Sequence, residues 1–298
     1  MQESRGSDFK VLLPVETGGE RWFDLTADQR KTILGGAPYR VAPMDKSQRV
    51  HECSSSCNAV LKIYPDAISV GGVLGAGTER GDVGFGAWMM ALMACVSIWF
   101  GVSLGPDKAM TWFLVLPGTL FLIMAAVYFF RTAYFLPKDT VLLFNRKTRQ
   151  VTFSQLRFHS FWRFWLKAGF NQPVTVAWDS VQARSYKFTQ FMGSTLRDSY
   201  RLEIWAPTPD DPKKLLVKEA IGYLGWYEDE KLWQVYEHIR RYMEEGGPPL
   251  QHGEELRKPR GGRDLPPFPD SVLATLGGPA LTDEEVSWLV EKAPHQSA

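Results

Sequence analysis

The sequence predicts an α+β membrane protein: a two-helix transmembrane hairpin and a cytoplasmic antiparallel β domain closed by a C-terminal amphipathic helix. Three observations carry this. Two long runs lack any charged residue. A stretch of short, alternating apolar segments follows them. That stretch ends in one strongly amphipathic segment.

The surrounding composition excludes several classes. The chain has 298 residues, enough for one large domain or two small ones. Lys+Arg number 34 against 33 Asp+Glu, a net charge of +1, which lacks the basic excess of a nucleic-acid binder. Apolar content of 45% argues against wholesale disorder. Three cysteines, one inside an apolar run, do not make a disulfide framework.

Residues 1–58 form a polar N-terminal region with one short helix expected at Thr26–Leu34, ended by Gly35-Gly36. Residues 59–82 lead to the membrane through two short strands, AVLKIY and AISV, separated by the Pro65-Asp66 turn. The glycines of GGVLGAG at 71–77 lack the lysine and Ser/Thr of a phosphate loop and read as a flexible lead-in.

The hairpin occupies 83–130, with spans at 83–105 and 109–130. A helix crosses ~30 Å of hydrocarbon with about 20 residues, and each run is long enough. Trp88 and Trp99 flank the first span, and Trp112, Tyr128 and Tyr134 flank the second, an aromatic-belt pattern. Pro117 lies inside the second span, where it removes one helical hydrogen bond and is expected to kink the helix. Small residues (Gly84, Ala87, Ala91, Ala94; Gly118, Ala125, Ala126) allow close packing within the hairpin or between copies, so a homo-oligomer through the spans is expected. Lys and Arg cluster after the second span (Arg131, Lys138, Arg146, Lys147, Arg149), with only Arg80 before the first and Lys108 between them. The positive-inside rule then puts both termini in the cytoplasm, and MQESRGSDFK holds no apolar stretch of a cleaved signal. The expected location is the bacterial inner membrane.

Residues 131–245 are the cytoplasmic β-rich domain. Strands are expected at Val141–Phe144, Val151–Phe153, Val174–Trp178, Val181–Phe188, Tyr200–Trp205 and Leu215–Val217. The closing helix spans 228–243, with Leu232, Val235, Tyr236, Ile239, Tyr242 and Met243 on one face. Strands followed by one helix match the element order of a pleckstrin-homology-like (PH-like) barrel; a plain sheet with a covering helix is the alternative. Residues 246–298 form a Pro/Gly-rich tail in which Thr282 and Glu285 make a capping box for a short helix.

One segment stands out as a candidate site. In RFHSFWRFWLKAGF, residues 157–170, a helix would put Phe158, Phe161, Trp162 and Trp165 on one face and His159, Arg163 and Lys167 beside it. Aromatic and basic residues so arranged suit a membrane surface with anionic head groups, or a protein partner. The alternative is that these aromatics belong to the core of the β domain.

Other chemistry is weakly represented. His51, Cys53 and Cys57 offer three ligands in H-x-C-x3-C, one short of a zinc site. No G-x-S-x-G elbow is present. The histidines are scattered, and His238 is assigned to an exposed helical face. The acidic pairs at Asp210-Asp211 and Glu228–Glu230 fall in a loop and a helix start. No catalytic residue, metal or cofactor is expected.

The hairpin, LLFNRKTRQV at 142–151, AWDSV at 177–181 and the closing Trp233-to-Met243 spacing resemble a family of bacterial two-span inner-membrane proteins with a cytoplasmic β-rich domain. Such proteins are often encoded beside secretion-delivered, type VI-like toxins. The resemblance covers roughly 59–245 and implies an immunity protein that binds and neutralises a cognate toxin, one that acts on membranes. The alternative is a membrane-anchored scaffold or sensor whose cytoplasmic domain binds lipid or a protein. The expected partners are the bilayer and a toxin, with no nucleic acid.

Overall fold

The computed structural model describes residues 23–27, 29, 37–73, 78–103, 109–135, 137, 139–157, 161–163, 165, 169–191, 195–226, 228–258 and 268–293. Of the short helix expected at Thr26–Leu34, most lies outside these residues. The fold is α+β: antiparallel sheets, one long helix packed on them, and a pair of long apolar helices.

Among the described residues the strands are β1 (Arg40–Val41), β2 (Val60–Ile63), β3 (Ala67–Gly71), β4 (Val141–Asn145), β5 (Gln150–Phe153), β6 (Leu156–Arg157), β7 (Gly169–Phe170), β8 (Val174–Ala177), β9 (Gln182–Phe191), β10 (Leu196–Thr208) and β11 (Asp211–Trp226). One sheet has the order β2-β3-β4-β5-β8 and a second β1-β9-β10-β11; β6 and β7 pair by themselves. The strands on either side of the apolar helices join one sheet, with Gly71 opposite Val141 and Ala67 opposite Asn145. An isolated bridge, Gly72 to Ile221, links the two sheets. A β-carbon at Gly72 would collide with the Thr140 side chain and lie 3.0 Å from the Ala220 carbonyl, so glycine is required for this crossing. The described strands do not close into a barrel.

Helix α3 (Asp229–Glu244) covers the concave side of both sheets. Its Leu232, Trp233, Tyr236, Ile239 and Tyr242 meet Ile68, Leu142, Phe144, Phe153, Trp178, Leu202 and Ile204 in the main core. Alternation along each strand sends the intervening residues to the opposite face. Leu143 and Ala67 pack under Leu276 of the tail, beside helix α4 (Asp270–Leu273). Tyr186, Trp205 and Leu215 pack under Phe23 and Leu25 of the N-terminal region. Both outer faces are thus covered by chain from the termini, which is why β4 is buried at every position. Helix α5 (Asp283–Lys292) starts at the expected capping box. Thr282 Oγ1 accepts from Glu285 N–H, and the Glu285 carboxylate accepts from Thr282 N–H at 2.7 Å.

Helices α1 (Thr78–Ser103) and α2 (Ala109–Phe135) are each long and apolar enough to cross a membrane. At 1.5 Å per residue each is about 40 Å long. Only 17% of each apolar window is buried within the chain. Their seam is made of small residues at heptad spacing: Ala87, Ala94 and Gly101 on α1 and Thr119, Ala126 and Ala133 on α2 are all buried. A 2.7 Å hydrogen bond between Ser97 Oγ and Thr119 Oγ1 crosses the seam. Phe85, Trp88, Trp99, Phe113, Leu120 and Phe121 point outward, an apolar surface far larger than water tolerates. Helix α2 is assigned as continuous through Pro117.

Candidate functional site: an aromatic turn seated on the apolar hairpin

The described residues of 157–170 are strand at both ends and a short turn between. Strands β5 and β8 are neighbours in the sheet, and the chain between them leaves the sheet and returns. Leu156 pairs with Phe170 and Arg157 with Gly169, forming a two-stranded stalk, and Asn171 N–H donates to Gln155 O at 2.9 Å. A 14-residue helix would hold its ends about 21 Å apart, whereas a ladder pair holds them about 5 Å apart. The stalk is therefore incompatible with one unbroken helix over 157–170. The described part of the loop contains a single 3-10 turn, Phe161–Arg163.

That turn lies against α2. The Phe161 ring is 5.3 Å from Tyr128, edge to face, and 5.9 Å from Phe121. It also meets Trp162 at 5.7 Å. Trp162 and Trp165 are 68% and 59% exposed, and Arg163 is exposed as well. Phe161, Trp162, Arg163 and Trp165 are thus gathered at one place, outside the core of the β domain. Phe158, His159 and Lys167 lie outside the described residues.

The sequence motifs shared by the β domain serve a different purpose. The turn after β4 brings Arg149 to Glu244 at 2.9 Å and to Asp179 at 2.6 Å. Trp178 donates from Nε1 to the same Glu244 at 2.6 Å and stacks its edge on Phe144. Lys46 Nζ donates to the Val181 carbonyl at 2.6 Å and lies 4.9 Å from the Trp178 ring. Burial pulls the Lys46 ammonium down to about 8. NRKTR, WDS and α3 therefore meet at one node that locks turn, sheet and helix.

The remaining candidates are structural too. His51 accepts from Cys53 N–H at 3.0 Å through Nδ1, and its Nε2 lies 3.2 Å from Glu230. Cys57 faces α3, where burial raises its thiol. Among the described residues, no group of three or more His, Cys, Asp or Glu side chains is placed to hold a metal. Asp229 takes the Trp233 indole N–H at 2.9 Å and sits 3.3 Å from Arg40; Glu230 also pairs with Arg40. Asp210 and Asp211 shape the turn between β10 and β11.

His238 is not exposed: it is 1% accessible. Its Nε2 lies 3.0 Å from the Pro249 carbonyl and its Nδ1 3.4 Å from the Gln251 amide. Residues 249–254 fold back over the helical face that sequence alone leaves bare. Glu237 and Arg240 are buried beside it as an ion pair at 2.7 Å. Periodicity missed them, since it scores charge as solvated; their i, i+3 spacing was the available signal.

A second buried polar group lies where the apolar hairpin joins the sheets. Arg257 of the tail donates to the Gly72 carbonyl at 2.9 Å and the Gly222 carbonyl at 3.0 Å. It lies 3.4 Å from Asp139 and over the Tyr223 ring. Nearby Glu219 is pushed up to about 7 by burial, opposed by a hydrogen bond from Thr140.

No family model, curated protein or solved structure matches the chain.

Proposed function

We propose that this chain is an inner-membrane immunity-type protein that binds and neutralises a secretion-delivered, membrane-acting toxin. Helices α1 and α2 span the bilayer as a hairpin, with both termini in the cytoplasm, as the excess of Lys and Arg after α2 requires. The observation that carries a binding role is the exposed aromatic turn. Trp162 and Trp165 stand beside the hairpin, where an arriving membrane-acting protein would be met, and Trp and Arg are the usual anchors of such contacts. The resemblance in the hairpin, LLFNRKTRQV and AWDSV supports the immunity role over other binding roles. Neutralisation is stoichiometric: the partner is held, not modified. The β domain is the rigid platform, PH-like in element order though not in closure.

A second reading is a membrane-anchored scaffold or sensor. It is favoured by Arg257, which ties both connections of the hairpin to the sheets and so couples the spans to the soluble domain.

A survival assay separates the two. The neighbouring open reading frame is expressed in a sensitive host with and without this protein. Rescue that depends on this protein, and that weakens in Trp162→Ser/Trp165→Ser, is the expected result. Toxicity without rescue overturns the immunity reading and turns attention to crosslinked partners of a scaffold.

A further inference from the structure

The aromatic turn sits too far along α2 to rest on the membrane surface. Phe161 contacts Tyr128 and Phe121, which are seven residues and so about 10 Å apart along the axis. Arg131 is the first charged residue beyond the apolar run. Tyr128 lies about 5 Å and Phe121 about 15 Å inward of it. One leaflet contributes half of a ~30 Å hydrocarbon core, about 15 Å. A ring touching both positions is inside that leaflet.

We propose that the aromatic turn, Phe161–Arg163 with Trp165, inserts into the acyl chains of the leaflet nearest the soluble domain. This rests on the reading that α1 and α2 span the bilayer. Phe161 packs on α2, while Trp162 and Trp165 meet lipid. Arg163 extends back to the head-group phosphates, as long cationic side chains do near an interface. The occupant is lipid because the surface is continuous with the outward apolar face of α2, where Leu120, Phe121, Ile123 and Val127 are exposed. Non-helical backbone at depth needs partners within the protein; Phe161 packs its ring on α2, and β6 and β7 hydrogen-bond to each other. The protein thus enters the membrane three times, twice by helices and once by a loop. A toxin approaching within the bilayer would find the aromatic side chains already there.

The full chain, with Cys53, Cys57 and Cys95 changed to Ser, is reconstituted in phosphatidylethanolamine/phosphatidylglycerol vesicles. An environment-sensitive fluorophore is attached through Trp162→Cys, Trp165→Cys, Ile123→Cys in α2, or Asp210→Cys in the β10–β11 turn. Lipids spin-labelled on their acyl chains serve as quenchers. Quenching at 162 and 165 comparable to that at 123, and several-fold above that at 210, is expected. Quenching at 123 with 162 and 165 behaving like 210 overturns loop insertion alone. No quenching at 123 overturns the spanning reading beneath it. A second measurement needs no substitution: wild-type protein is photolabelled by lipids carrying a diazirine in the acyl chain. Adducts within 161–165 are expected; adducts confined to α1 and α2 overturn the proposal.

Discussion

At the scale of single residues, the buried ionisable groups give the protein opposite responses to acid and base. Burial holds His238 below its ordinary value, so it is neutral in the fold. The unfolded chain binds its proton first, and stability is lost as pH falls through the ordinary histidine value of about 6.5. Glu219 runs the other way. Its folded value is raised to about 7, so the fold favours the protonated form, and stability is lost as pH rises from its ordinary value toward 7. Glu219→Gln should therefore raise the melting temperature at pH 8, by about 2–4 °C per kcal/mol of relief, and leave it unchanged near pH 4. His238→Gln should flatten the loss between pH 7.5 and 5.5. Thermal melts of the detergent-solubilised full chain at these pH values decide both; a gain in Glu219→Gln that persists unchanged at pH 4 would rule out its titration as the cause. These two residues were hard to read from sequence for a shared reason. What buries them arrives from far along the chain: Pro249 and Gln251 over His238, and Thr140 beside Glu219. The apolar face of α3, by contrast, was legible because 3.6-residue periodicity is a local property.

At the scale of elements, strands with clean alternation were readable and strands defined by pairing were not. Val141–Phe144, Val151–Phe153 and Val174–Trp178 fall within a residue or so of β4, β5 and β8. Strand β1 is two residues long and exists because Arg40 and Val41 find Ser185 and Arg184. Strand β11 extends well past Leu215–Val217 through a glycine-containing stretch, because β10 offers it a partner along most of its length. The aromatic spacing at 157–170 is what one helix would need, whereas the stalk that brings Arg157 to Gly169 is a tertiary contact with no local signal. In the apolar pair, the small residues named from sequence found their use within the hairpin: Gly84, Ala87, Ala94, Ala125 and Ala126 are buried, while Gly118 faces outward. Ala94→Leu or Ala126→Leu should wedge α1 from α2. A cysteine pair across the seam, at Ser97 and Thr119, should crosslink readily in the parent and several-fold more slowly in either leucine variant. Undiminished crosslinking would show that the seam is not close-packed. Thr282→Ala should cost α5 about 1 kcal/mol, seen as faster amide exchange confined to that helix.

At the scale of the whole molecule, the question is how the hairpin and the β domain act together. The chain leaves the sheets at Gly72, passes through α1 and α2, and returns at Asp139. Arg257, contributed from more than a hundred residues later, holds both points, and also Gly222 of the second sheet. Sequence offered Arg257 only as one residue of the Pro/Gly-rich tail, since no local pattern distinguishes a buried arginine from a solvated one. Its position makes the tail part of the junction. Removing one member of a buried pair leaves the other charge in a dry site, which typically costs about 3–5 kcal/mol, far more than the pair contributes over apolar replacements. Arg257→Met should therefore lower the melting temperature of the full chain sharply. Arg257→Met combined with Asp139→Leu should recover part of that loss, because no charge is then stranded. If binding is transmitted between membrane and soluble domain, Arg257→Met should also uncouple them: limited proteolysis should cut the 72–78 connection faster, while the main core under α3 stays protected. Equal stability of the single and double variants, with unchanged cleavage, would reduce Arg257 to a surface ornament and leave the hairpin and the β domain joined by two peptide connections and the aromatic turn alone.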